Sequence, residues 1–192
     1  MTILAISTAS PALSLSLFDG EAVVAHDHRV IGRGHAEALM PAIAALLGAT
    51  VPDAIIVDLG PGSFTGIRVG LAAARALGLA WDIPVSGCSG AALVAAQAFA
   101  RAPGLACLTV VLDAGRGQIL GQTFAADFTA GPIATLAALP HDGGASAGPL
   151  APASAIHRDH PDARFVLQLP AAARGLPPAA LYVRPPDAVL PL

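Results

Sequence analysis

The 192-residue chain contains no lysine, so all ten of its cationic side chains are arginine. That absence excludes a Schiff base, a pyridoxal phosphate anchor and a P-loop lysine together. Cysteine is nearly missing: Cys88 and Cys107 supply neither a disulfide framework nor a zinc site, and read as small buried apolar residues. Charge is scarce, at 12% of residues with a net −3 and no basic block, which argues against a stand-alone nucleic-acid binder. No run of about 18 uncharged apolar residues exists, so nothing is expected to span a membrane. The first cation is Arg29 and Pro11 interrupts the leading apolar stretch, so no secretory leader is expected and the expected address is the cytoplasm.

What is abundant is small and apolar. Hydrophobic residues make up 55% of the chain, much of it alanine. Alanine buries little area, so the core must form by close backbone approach more than by bulky side chains. The length allows one domain or two small lobes.

Residues 2–7 read as a strand, and residues 12–18, ALSLSLF, alternate apolar and polar at period two. Asp19-Gly20 marks a hairpin turn and residues 21–29 return, giving a three-strand antiparallel meander. Leu39, Met40, Ile43, Leu46 and Leu47 keep a 3.6 period over a helix at 35–47 that Gly48 ends. Residues 54–59 suit a buried strand; a glycine turn then leads into a helix at 65–81. A brief strand at 84–86 and a helix at 89–101 follow. After Pro103-Gly104 come a strand at 105–113, a turn at 115–117 and a strand at 118–125. Residues 140–152 read as a loop or linker, and 163–169 as a last strand before a Pro-rich tail. The order predicts an α/β fold with an N-terminal lobe at 1–102 and a shortened C-terminal lobe at 103–192.

The stretch GPGSFTG, Gly60–Gly66, joins a strand to a helix N-terminus, the arrangement that points amides at an anion. Gly60, Gly62, Ser63 and Thr65 could make a weak anion or nucleotide contact, or the turn could merely seat the helix. The P-loop pattern fails, because Ile67 and Arg68 follow Gly66, and neither G-x-G-x-x-G nor G-x-S-x-G is present. On the following helix Gly66, Gly70, Ala74 and Gly78 fall at i, i+4, i+8 and i+12, a ridge with almost no side chain. Each helical glycine costs roughly 1 kcal/mol against alanine, so a backbone must press close along that ridge, from this chain's own sheet or from a partner. Leu71 and Leu77 would flank the seam. Arg68 and Arg75, seven apart, can share one face as a polar rim.

No metal site is expected. His26 and His28 share a strand face, but no third ligand is expected near them, and His157 and His160 lie in a Pro/Ala-rich segment. His35 opens the first helix, but four residues on stands Leu39, where a helix-borne pair needs its second ligand.

Several motifs together carry a family resemblance. ILAISTA (3–9), GHAEALMP (34–41), GPGSFTGIRVGLAAARALGLA (60–80) and VSGCSGAALVAA (85–96) resemble TsaB, also called YeaZ. That family is a bacterial subunit group that helps form threonylcarbamoyladenosine beside the anticodon of tRNA. The likeness covers roughly residues 2–120 and weakens after 130. It implies an actin-like, ribonuclease-H-like (ASKHA) fold, a mixed sheet flanked by helices with a reduced second lobe. It implies a non-catalytic paralogue of the catalytic subunit TsaD, pairing with it and with the ATPase TsaE, and self-associating as a homodimer when alone. ATP and metal are expected on those partners rather than as cofactors of this chain, and tRNA only indirectly; the glycoprotease-like, M22 peptidase label has no support in these residues.

The resemblance also implies a partner interface on the first two long helices. It would run through His35, Leu39, Met40, Ile43, Gly66, Arg68, Gly70, Leu71, Ala74, Arg75 and Gly78. On that view Gly70→Leu abolishes pairing and leaves a folded chain. Two places depart from the family pattern and a third follows it. Ser7 stands where the family has Asp, which weakens any case for ATP hydrolysis. DAGRGQIL, Asp113–Leu120, resembles D-A-R-x-G-E-V-Y with Gly115, Gln118 and Leu120 in place of Arg, Glu and Tyr. AALYVRPPDA, around Tyr182, Val183 and Arg184, resembles the late P-x-Y-[LV]-R. The rival reading is a small nucleotide-dependent enzyme, for which Asp19, Asp58 and Asp113 are the candidate metal-holding acids. A peptidase is undercut by the lack of any triad or metal set.

Overall fold

A computed structural model describes residues 1–113, 117–138 and 144–183. Strands β1 (Thr2–Ser7), β2 (Ala12–Asp19) and β3 (Ala22–Val30) form the expected antiparallel meander. Helix α1 (His35–Leu47) follows, then β4 (Ala54–Asp58), α2 (Phe64–Trp81), β5 (Val85–Cys88) and α3 (Gly90–Arg101). β4 joins β1 in parallel and β5 joins β4, so the first sheet is mixed, ordered β3-β2-β1-β4-β5. A second sheet, ordered β8-β7-β6-β9, is built from β6 (Cys107–Asp113), β7 (Ile119–Ala125), β8 (Ala134–Leu136) and β9 (Ser146–Ala147). A 3₁₀ helix, Ala163–Gln168, and a single-turn α4, Ala171–Arg174, close the described fold.

Two apolar layers result. Leu4, Ile6, Leu13, Leu15 and Leu17 face α1 and α2 on one side of the first sheet. Ile3, Ala5, Phe18 and Ile56 face α3, the 3₁₀ helix and the second sheet on the other. This sandwiching covers both faces of β2, although its alternation is the pattern of a strand with one face in water. Every β2 residue from Ala12 to Phe18 is buried, serines included. The serines are small enough to let the 3₁₀ helix approach: Ser14 Oγ accepts from the Ala163 amide at 2.9 Å.

Other expectations are corrected. Residues 163–169 form no strand, because Asp162 caps a 3₁₀ start by accepting from the Arg164 amide at 2.9 Å, between Pro161 and Pro170. The 140–152 segment is no free linker over its described part: Ser146 and Ala147 pair in parallel with Thr109 and Val110 of β6. Residues 140–143, 115–116 and Arg184 lie outside the described residues. Cys88 is buried as expected, but Cys107, at the start of β6, is exposed. No helix among the described residues is long and apolar enough to cross a membrane.

Candidate functional site

The glycine turn sits where β4 ends, and the amides of Gly60, Ser63 and Gly66 are engaged within the chain. Asp58, fully buried, accepts from the Gly60 amide at 2.8 Å and from Ser7 Oγ at 2.7 Å. Burial pushes the Asp58 carboxyl up to about 6, against the pull of the Ser7 and Gly60 donors. The Ser63 amide donates to the Ala9 carbonyl at 2.6 Å, and Ser63 Oγ caps α2 by accepting from Gly66 N at 3.2 Å. Thr65 is exposed on the first turn. The turn therefore seats α2 and locks β1, β4 and α3 together. Ser7 completes this lock as a donor; a second carboxylate in its place would face Asp58 as a like charge.

Beside the turn, a cleft of about 900 Å³ opens toward the second sheet, walled by Gly62, Ser63, His35, Asp113, Leu120 and Tyr182 among others. Asp58 does not line it, and Asp19 is at the far hairpin beside the N-terminal amine at 3.6 Å. Of the three acids a nucleotide-dependent reading offered, only Asp113 reaches the cleft wall. His35 is buried, and its Nε2–H donates to the Ala12 carbonyl at 3.3 Å, while Leu39 is in the core.

The glycine ridge faces inward, which corrects the reading that a second protein lies flush against it. A Cβ on Gly66 would come 2.0 Å from the Thr8 carbonyl oxygen. One on Gly70 would meet Thr8 Oγ1 at 2.5 Å, and one on Gly78 would meet the Val85 side chain at 2.3 Å. The chain's own β1 end and β5 fill the groove, and Thr8 Oγ1 donates to the Gly66 carbonyl at 2.8 Å. His35, Leu39, Ile43, Gly66, Gly70, Leu71, Ala74 and Gly78 are all buried in this chain. Of the expected interface, Met40, Arg68 and Arg75 reach solvent.

Another stripe of α2 does face outward. Phe64, Arg68, Arg75 and Leu79 fall within about 60° of helix arc. Leu79 is 86% exposed, and Met40 on α1 and Phe64 are also among the exposed large apolar residues. The Arg68 guanidinium lies over the Phe64 ring at 4.3 Å, and the Tyr182 ring is 5.0 Å from Phe64. The late segment that carries Tyr182 folds back on the first sheet. Leu176 bridges Gly87, Leu181 N donates to the Leu59 carbonyl at 2.8 Å, and Arg75 bonds the Pro178 carbonyl. Sequence reading missed Phe64 and Leu79, and it named Tyr182 only as part of a late motif, not as a neighbour of α2. The helical spacing of Phe64, Arg68, Arg75 and Leu79 would have shown one shared face; nothing local places Tyr182 there.

Comparison with known proteins agrees on one group. Residues 28–131 match the sequence profile of the TsaD family, described as tRNA N6-adenosine threonylcarbamoyltransferase. An uncharacterized protein of Mycobacterium tuberculosis is 33% identical over 207 residues, covering 97% of this chain and 93% of that protein. The tRNA threonylcarbamoyladenosine biosynthesis protein TsaB of Bacillus subtilis is 36% identical over 124 residues, 62% of this chain and 53% of its own. Among solved structures, YeaZ from Pseudomonas aeruginosa superposes with a TM-score of 0.78 at 27% identity, covering 95% of this chain and 99% of that one.

Proposed function

This chain belongs to the TsaB (YeaZ) family, and from that premise we propose that it is a non-catalytic scaffold subunit in the formation of N6-threonylcarbamoyladenosine in tRNA. The fold is the α/β, actin-like type that the family implies. The scaffold pairs with a TsaD-like catalytic subunit, assembles with a TsaE-like ATPase and touches tRNA only through them. ATP and catalytic metal belong to those partners. Alone, the chain pairs with itself.

The observation that supports this most is the outward stripe of α2. Phe64, stacked under Arg68 and beside Tyr182, is an aromatic and arginine anchor of the kind that concentrates binding energy at interfaces. Leu79 at the other end of the stripe and Met40 on the neighbouring helix extend it with exposed apolar surface. The Asp58 lock supports the non-catalytic half of the reading, because the buried acid at the strand end is tied to Ser7 and Gly60 rather than turned to the cleft.

The test is co-purification with the TsaD-like subunit from the same cell, comparing the wild-type chain with the double variant Arg68→Glu, Leu79→Asp. Both positions are exposed, so stability should hold within about 0.5 kcal/mol for each change. Affinity for the catalytic subunit should fall at least about thirtyfold, the equivalent of about 2 kcal/mol. Normal pairing by that variant would remove the α2 stripe from the interface. Turnover of ATP by the isolated wild-type chain would favour an enzyme instead.

A further inference from the structure

The histidines that sequence spacing left without a third partner acquire one in three dimensions. His26 and His28, two apart on edge strand β3, point to one face of the sheet. The chain leading into the 3₁₀ helix brings Asp162 up to them from 136 residues away in sequence. His26 Nε2 lies 2.9 Å from Asp162 Oδ1, and His28 Nδ1 lies 3.9 Å from Asp162 Oδ2. One donor atom from each of the three residues falls within 4.8 Å of the other two. The rings are held nearly parallel, at 17° and 6.1 Å between centroids. Asp162 is buried, while His26 stays open to solvent.

The surroundings are short of hydrogen-bond partners. Among the described residues, His28 Nδ1, Ser16 Oγ and His160 Nδ1 are buried polar atoms with none. Ser16 is the cross-strand neighbour of His26, and His160 shares with His28 and Asp162 a hollow of about 370 Å³. Buried polar atoms ordinarily find a partner, an ion or a water included, so a cluster of unpaired ones points to a missing occupant.

We propose that His26, His28 and Asp162 bind one divalent transition-metal ion of the zinc class. Two imidazoles and a carboxylate suit Zn²⁺, Co²⁺ or Ni²⁺; Ca²⁺ and Mg²⁺ take oxygen ligands instead. With ligand distances of about 2.0–2.1 Å, tetrahedral zinc spaces its donors about 3.3 Å apart, so the cluster, whose donor atoms lie within 4.8 Å of one another, draws inward as the ion binds. The fourth position opens to solvent beside His26. Asp162 Oδ1 is steadied by the Arg164 amide at 2.9 Å and by Ser14 Oγ at 3.4 Å. The opposing feature is the Arg164 guanidinium, whose Nε is 3.0 Å from Asp162 Oδ2 and competes with the ion for that carboxylate. The bound ion would clasp the edge strand of the first sheet to the late segment of the chain.

The full chain, without an affinity tag, is titrated with Zn²⁺ by calorimetry and with Co²⁺ by visible absorption. One ion per chain, a tetrahedral cobalt spectrum and a melting temperature that rises with Zn²⁺ are expected. Asp162→Asn preserves the helix cap, since Asn caps as well as Asp, and should weaken binding at least about tenfold. His28→Ala should weaken it as much, and Arg164→Gln should strengthen it. Failure of the wild-type chain to bind either ion overturns the proposal, as does binding that Asp162→Asn and His28→Ala leave unchanged. If His28→Ala does not fold, Asp162→Asn alone decides, with circular dichroism confirming its fold.

Discussion

Gly66→Ala lowers the melting temperature by roughly 6–12 °C, whereas Gly144→Ala leaves it nearly unchanged. Helix propensity alone predicts the opposite sign at Gly66, a gain of about 1 kcal/mol. Packing reverses it. The new methyl would sit 2.0 Å from the Thr8 carbonyl oxygen and 3.1 Å from its carbon, and these are backbone atoms of a buried residue. They cannot swing aside as a side-chain end could. Overpacking of this kind costs about 3 kcal/mol or more, and in a chain of this size each kcal/mol is about 2–4 °C. Nothing lies within 4 Å of a Cβ on Gly144, which makes it the control. Thermal unfolding followed by circular dichroism measures both. An unshifted Gly66→Ala would mean that the turn after β1 is free to move away. Gly70→Leu follows the same logic. Its side chain would drive into Thr8 Oγ1 and Val57, so any loss of pairing in that variant comes from a damaged fold and says nothing of an interface.

Asp58→Ala destabilises the chain by about 3 kcal/mol or more, because it leaves the Gly60 amide and the Ser7 hydroxyl buried without an acceptor and opens a small hole. Asp58→Asn is milder and carries a pH signature. The folded carboxyl is pushed up from 3.8 to about 6 by burial. The native state therefore favours the protonated acid. The resulting stabilisation is complete below the unfolded value near 3.8 and is lost as pH rises through about 6. Across that window the wild-type chain should lose up to about 3 kcal/mol of stability through this one group. Asn has no such proton to lose and can still accept from Gly60, so Asp58→Asn should flatten the slope. Denaturant midpoints at pH 4, 5, 6 and 7, about one unit apart, compare the two. Parallel slopes would show that Asp58 is not the titrating group.

The N-terminal elements were readable because each carries its own period. The meander and the first two long helices are spaced by alternation or by helical repeats, and Gly48 and the Asp19-Gly20 turn mark ends. The ridge on α2 was equally visible, yet its meaning was not. Spacing says that something presses on Gly66 and Gly70; only the fold says that it is Thr8. Burial of β2 on both faces was hidden for a related reason, since alternating serines look solvent-facing until another segment covers them. Residues 163–169 are short and apolar, which fits several conformations equally, and the choice fell to the Asp162 cap. β9, two residues long, is too brief to show any period. The meeting of His26 and His28 with Asp162 depends on tertiary structure alone, and so does the return of the Tyr182 segment to α2.

Helix α3 has no water-facing side from Gly90 to Ala98. Its alanines touch the first sheet on one side and the second sheet on the other, in one continuous apolar mass. Two bodies swing about a pivot only if some plane between them can slide, and here that plane is filled with methyl groups packed at close range. The gap between the sheets is accordingly a fixed aperture. Whatever occupies it must match a width already set, and solution scattering should give one radius of gyration for the chain whether the aperture is empty or filled.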